Sequence, residues 1–258
     1  CRTLAAAFPG QVRFTSFGTS PEERPLPLVI ADREGRLTPD AARTGDRAVL
    51  LIQACIHAGE SCGKDAGLVL LRDLARVGTL PPDVTILFIP IFNVDGHERF
   101  SPFGRINQNG PEAMGWRVTA QNLNLNRDFV KADTPEMRAW LALWNRWRPD
   151  FFVDVHSTDG ADYQYPITYS LELDGNLEAG LSEWTAAYED TLLARMDRDG
   201  YPLAPYVTFR EWHDPRSGLR NWVAGPRYSQ GYAAVRNRPG LLVEAHMLKP
   251  YPVRVRGT

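Results

Sequence analysis

Three short, almost wholly apolar runs constrain this 258-residue chain most: AVLLIQACI at 48–56, DVTILFIPIF at 83–92 and FFVDV at 151–155. Each is strand length, and each is too apolar to alternate between core and solvent. They read as strands buried on both faces. Between them, residues 66–77 have helical apolar spacing and stop at Gly78. Thr134-Pro135-Glu136 opens a second helix, with a capping threonine, a proline in the first turn and an acid at the positive end. That helix runs to about Trp147, before Pro149. Residues 25–31 read as another strand, 177–198 as helix, and 232–236 and 241–245 as late strands. Buried strands alternating with amphipathic helices predict an α/β fold: a mixed, mostly parallel central sheet flanked by helices on both faces. Such sheets bind ligands beyond the carboxyl ends of their strands. Residues 96–121 and 210–229 read as long irregular stretches, a length that in a compact domain points to function.

Composition narrows the function classes. With 43% hydrophobic and 23% charged residues, the chain is not disordered. No apolar run reaches the roughly 18 residues of a membrane span. A net charge of −2 gives no electrostatic case for nucleic acid or an anionic membrane. Lys64, Lys131 and Lys249 are the only lysines among 29 basic residues, an arginine excess that reads as compositional bias. Cys1, Cys55 and Cys62 form no disulfide framework and no four-cysteine zinc site. The chain is expected to be one domain over residues 1–258, trimmed at both ends: it opens on Cys rather than Met, and only 14 residues follow Glu244. The missing signal peptide then says nothing about compartment.

The chemistry-bearing residues fall at strand ends. His57-Ala58-Gly59-Glu60 follows the first buried run, and an imidazole and a carboxylate three positions apart converge on one cation if the chain turns there, which Gly59 permits. His156 follows the 151–155 strand and supplies a third ligand; two histidines and a glutamate are a catalytic zinc set. Asn122-Leu123-Asn124-Leu125-Asn126-Arg127-Asp128 places an Asn-Arg pair where it could fork onto a carboxylate. Glu244 sits inside an apolar strand, a costly place unless the carboxyl is paired or functional. Gly59-Glu60-Ser61-Cys62-Gly63 also matches a nucleophile elbow, with His213 or His246 as partner. Only about 60 residues precede it, too few for the earlier strands such an elbow follows.

Together these pieces resemble the zinc metallocarboxypeptidases, the carboxypeptidase A-like family, over nearly the whole chain. The resemblance rests on Phe8-Pro9, Phe17-Gly18-Thr19-Ser20 and Arg24, on His57-Ala58-Gly59-Glu60, and on Asn93-Val94-Asp95-Gly96 with valine at the family's proline. It continues through Trp116-Arg117, Asn126-Arg127, His156-Ser157 and Glu244. It implies one Zn2+ per chain held by His57, Glu60 and His156, which activates a water for peptide-bond hydrolysis. It implies Glu244 as general base, Arg117 as oxyanion stabiliser, and Asn126 and Arg127 as the grip on the free C-terminal carboxylate of a peptide substrate. The family's mobile tyrosine corresponds to Tyr228 or Tyr232, with Tyr228 preferred. Where the family has an aspartate orienting a zinc histidine, this chain has Asn124, whose amide oxygen is expected to accept from His57. The family's closing helix is expected to be missing or cut off after Glu244. A secreted or periplasmic location follows from the resemblance alone, and oligomeric state is left open.

Two other functions fit parts of this pattern. A zinc-dependent deacylase of N-acyl amino acids would share the metal and Asn-Arg elements, although the opening segment favours the peptidase. A non-catalytic binding module with this fold would not need the complete ligand set and Glu244. The preferred C-terminal side chain is not legible; Arg236 or Arg238 facing the pocket would suit acidic residues.

Overall fold

The three apolar runs become neighbouring parallel strands. The computed structural model describes residues 1–162, 164–172, 176–212 and 214–258. In chain order the elements are α1 (Arg2–Ala7), β1 (Val12–Thr19), β2 (Pro25–Ala31), α2 (Pro39–Ala42), β3 (Ala48–Ala54), α3 (Cys62–Val77), β4 (Val84–Ile89) and α4 (Val94–Glu98). There follow α5 (Pro135–Trp147), β5 (Phe151–Ser157), β6 (Ile167–Leu171), α6 (Ala179–Arg198), β7 (Leu203–Pro205), β8 (Val207–Glu211), β9 (Asp214–Asn221), α7 (Ser229–Val235), β10 (Gly240–Ala245) and α8 (Tyr251–Gly257).

Eight strands form one sheet in the order β1-β2-β4-β3-β5-β10-β6-β7. The central strands β4, β3, β5 and β10 all run parallel, so their carboxyl ends share one edge. Side chains alternate between two cores. Val49 and Leu51 of β3 and Phe152 of β5 pack against Trp140, Trp144 and Trp147 of α5 and Tyr232 of α7. On the other face, Phe88 and Val155 meet Leu71 and Ala75 of α3, with Leu4 and Ala5 of α1 beside them. The helix signals are realised as read. Gly78 closes α3 at φ 73°, and the Thr134 side chain accepts from the Met137 N–H at the start of α5.

Four readings need correction. Residues 232–236 are not a strand; they belong to the end of α7 and its cap. Ala233 and Ala234 favour helix, and Gly240 lets that helix lie close on β10, since a Cβ there would fall 2.9 Å from Gln230 Cα. The stretch 210–229 is not wholly irregular, because β9 pairs antiparallel with β8 in a separate two-stranded sheet. Its sequence, DPRSGLRN, lacks the apolar alternation that announces a strand. Strand β5 continues to Ser157, so His156 lies within it. After Glu244 the chain does form a short helix, α8, whose Tyr251 and Val255 pack against Ile167, Ala245 and Cys62.

Gly67 of α3 lies against the buried Phe88 ring, where a Cβ would fall 2.3 Å from ring carbon Cζ. Alanine's helix advantage over glycine is about 1 kcal/mol, whereas overpacking a closed core costs about 1–3 kcal/mol. Gly67→Ala is therefore expected to lower the denaturant midpoint. An unchanged or higher midpoint would show that α3 can move off the sheet at little cost.

Candidate functional site

The first two ligands come from a single turn. After β3 the chain leaves the sheet at Cys55, a non-glycine residue at φ 56°. The Glu60 N–H then donates to the His57 carbonyl at 3.0 Å, closing a four-residue turn that brings its first and last side chains together. Gly59 is needed here for space rather than for a left-handed φ. A Cβ there would fall 2.7 Å from both Arg105 Cδ and the Gly115 carbonyl. The third ligand comes from β5. His156 pairs in register with Glu244 of β10, so in these parallel strands the two side chains stand next to each other on one face.

The Glu60 carboxylate is the centre of the cluster. His57 Nδ1 lies 2.8 Å from Oε1 and His156 Nδ1 lies 2.9 Å from Oε2. The Ser157 N–H donates to Oε2 at 3.0 Å, and Arg105 Nη1 donates to Oε1 at 2.7 Å. Among the described residues, His57, Glu60 and His156 are the group whose ligand atoms, all within 4.8 Å of one another, could hold an ion. The donor set fits zinc: two imidazole nitrogens and one carboxylate, with a cavity on the open side. Asp154, two positions before His156 and on the same strand face, lies 2.8 Å from His156 Nε2. A proton on that nitrogen leaves Nδ1 free as the ligand atom.

The electrostatics follow from burial and partners. Burial alone would raise the Glu60 carboxyl, but His57, Arg105 and the bonds from both histidines hold it well below the usual carboxylate range. Burial lowers His57, with Glu60 opposing. Burial would also lower His156, but Asp154 and Glu60 hold it well above its ordinary value. Glu244 is pushed the other way, well above a normal carboxyl, mainly by burial, with the charges of Glu60, Asp159 and Asp154 adding. Its Oε2 is shielded from solvent and, among the described residues, has no hydrogen-bond partner.

A cavity of about 270 Å3 opens beside the cluster, lined among others by His57, Glu60, His156, Arg117, Asn126, Arg127, Tyr228 and Glu244. All eight residues singled out from sequence therefore face one space. Arg117 Nη1 stands 3.7 Å from Glu60 Oε1. Its loop is tied down through the neighbouring Trp116 N–H, which donates to the Gly96 carbonyl at 2.7 Å. Gly96 in turn sits in the Asn93-Val94-Asp95-Gly96 turn, whose Asp95 accepts from Ser20 and Arg24, each at 2.7 Å. Arg127 is half-buried, 4.3 Å under the Tyr228 ring, and Tyr228 packs edge-on against Trp222 at 4.8 Å.

The structure separates several open alternatives. Tyr228 lines the cavity, whereas Tyr232 is buried in the α5 core with its hydroxyl on Arg236. Arg236 and Arg238 turn away, onto Asn145 and the Pro149 carbonyl. Asn124 does not reach His57: its side chain accepts from the Asn126 N–H and caps a short turn over Leu125–Arg127. Among the described residues His57 Nε2 is buried without a partner. The orienting carboxylate in this chain is Asp154, and it acts on His156 rather than His57. Ser61 shares a hydrogen bond with Tyr251 and not with His246, which is buried near Asp162; His213 lies outside the described residues.

Sequence reasoning missed Asp154 and Arg105. The first had a signal, since strand alternation puts Asp154 and His156 on one face. Arg105 had none, because its contact depends on how residues 99–124 fold back over the turn.

Comparison with known proteins places these features in a family. The zinc carboxypeptidase family model matches residues 1–252. Carboxypeptidase 2 of Trichophyton rubrum is 26% identical over 186 residues, covering 66% of this chain and 31% of the relative. The chain thus spans about a third of the length of the curated relatives it matches. A metallo-carboxypeptidase from Burkholderia cenocepacia has the same fold at 18% identity and TM-score 0.67, over 99% of this chain and 64% of that one. Carboxypeptidase A from Helicoverpa armigera does so at 17% and TM-score 0.68, over 99% and 67%.

Asp154→Asn keeps the volume but removes the charge that orients His156. Zinc affinity, measured by chelator competition, is expected to fall by about 10–100-fold. An unchanged affinity would mean that Asp154 serves the core rather than the ligand.

Proposed function

The chain belongs to the zinc carboxypeptidase family, and on that premise we propose that it hydrolyses the C-terminal peptide bond of peptides. One observation carries the reading. A single cavity gathers the His57–Glu60–His156 cluster, the shielded carboxyl of Glu244 and the Asn126–Arg127 pair. Zinc held by the three ligands would polarise the scissile carbonyl and make water a nucleophile near neutral pH.

The remaining work falls to the chain's own groups. Arg127 and Asn126 take the substrate's terminal carboxylate, which fixes the register so that only the last residue leaves. Tyr228, stacked on Arg127, covers that end of the cavity. Arg117 faces the oxygen that gains negative charge as water attacks. Glu244 takes the water's proton and passes it to the departing amine; burial makes this carboxyl a better base than an exposed one.

N-acyl amino acids present the same terminal carboxylate, so the assay compares both substrate classes on the zinc-loaded protein. Glu244→Gln is expected to keep its zinc and lose about 10²–10⁴ in kcat on peptides. Full activity in that variant would remove Glu244 from the base role. Peptides ending in a free carboxylate are expected to be cleaved and their C-terminal amides spared. Arg127→Met is expected to raise KM for the former without a matching loss of zinc. Equal cleavage of amides by the unaltered protein would overturn the carboxylate grip, and faster turnover of acylated amino acids would favour the deacylase.

A further inference from the structure

Arg105 lies 45 residues from Glu60 in sequence and does not line the cavity, yet it makes a shorter hydrogen bond to the central carboxylate than the Ser157 N–H does. Its side chain is 7% exposed, and Nη1 donates to Glu60 Oε1 at 2.7 Å. Its stem lies directly on the His57–Glu60 turn, in the space where a Cβ on Gly59 would meet Arg105 Cδ at 2.7 Å and Cγ at 3.0 Å. Three residues on, the buried Gln108 amide donates to the Gly59 carbonyl at 3.0 Å. The loop therefore grips the turn at two points. On the far side, the Ser157 N–H donates to Oε2 at 3.0 Å. Apart from the two histidines, each carboxylate oxygen thus has its own short-range donor, and together these two donors fix the plane of the group.

We propose that Arg105 is a positioning residue that locks the Glu60 carboxylate in its ligating orientation. The inference rests on the zinc-site reading above. Two effects oppose each other here. A guanidinium next to a divalent ion repels it, but it also holds a buried carboxylate that would otherwise keep, besides the two histidines, only its bond from the Ser157 N–H. The two-point grip on the turn and the absence of slack at Gly59 make orientation the larger effect.

The test measures zinc affinity of the full chain by competition with a chromophoric chelator, for the unaltered protein, Arg105→Met and Arg105→Lys. Metal-free unfolding midpoints are measured alongside. Arg105→Met is expected to bind zinc about 10–100-fold more weakly. Arg105→Lys keeps the charge without the planar fork, and is expected to fall between the two. Should Arg105→Met fail to fold, Arg105→Lys decides: a weakened affinity supports the assignment and an unaltered one overturns it. Equal or tighter binding by folded Arg105→Met also overturns it, with repulsion shown to dominate. If the unaltered chain takes up no zinc, the metal reading itself falls, and this inference falls with it. If the unaltered chain binds zinc and both variants bind equally well, only the role of Arg105 is lost.

Discussion

A carboxylate withdrawn almost completely from water stays charged only when donors surround it, and the site is arranged around that requirement at Glu60. Removing an ion from water costs several kcal/mol even after the protein relaxes. Arg105, the Ser157 N–H and the two histidines meet that cost, drawn from three parts of the fold: a long loop, the end of β5 and the turn after β3. Loss of one partner leaves an uncompensated charge rather than a merely missing contact. Arg105 and the Ser157 N–H hold the group in place while the two ring nitrogens and the open side face a common point.

The sheet supplies the alignment that makes this possible. Four parallel central strands end at one edge, so the turn after β3, the turn after β4 and the last residues of β5 and β10 arrive together. The opening segment contributes from a distance. Ser20 and Arg24 hold Asp95, the Asp95 turn holds Trp116, and Trp116 fixes the backbone next to Arg117. The family's scattered sequence signatures become one connected brace in three dimensions.

Much of this was legible in the sequence because it depends on local rules. The apolar runs, the Thr134 cap, Gly78 and the strand-end position of His57 need only periodicity and turn chemistry. Asp154 was within reach of the same rules through strand alternation, but it was counted as part of an apolar run. The strand reading of 232–236 failed because an aromatic followed by small apolar residues suits either element, and only packing on β10 decides. Strand β9 was hidden because its sequence, DPRSGLRN, carries no hydrophobic alternation, and only its pairing with β8 makes it a strand. Arg105 and the altered role of Asn124 were invisible for a different reason: each depends on how a long loop folds back, which residue order alone does not encode. Gly59 was identified correctly as special but for the wrong cause, since its constraint is a neighbour from that same loop.

Strand β10 lies in the interior of the sheet, between β5 and β6, although it follows both of them, and β7, in the sequence. During synthesis the sheet must wait with a gap in its middle while about eighty further residues emerge. The flanking strands β5 and β6 have no partner along that gap until then, and their bare edges are open to wrong pairing. The three metal ligands can all be in place by then, but the carboxyl of Glu244 arrives only when the gap closes. Closing the gap in the sheet and bringing Glu244 beside His156 are therefore one and the same step.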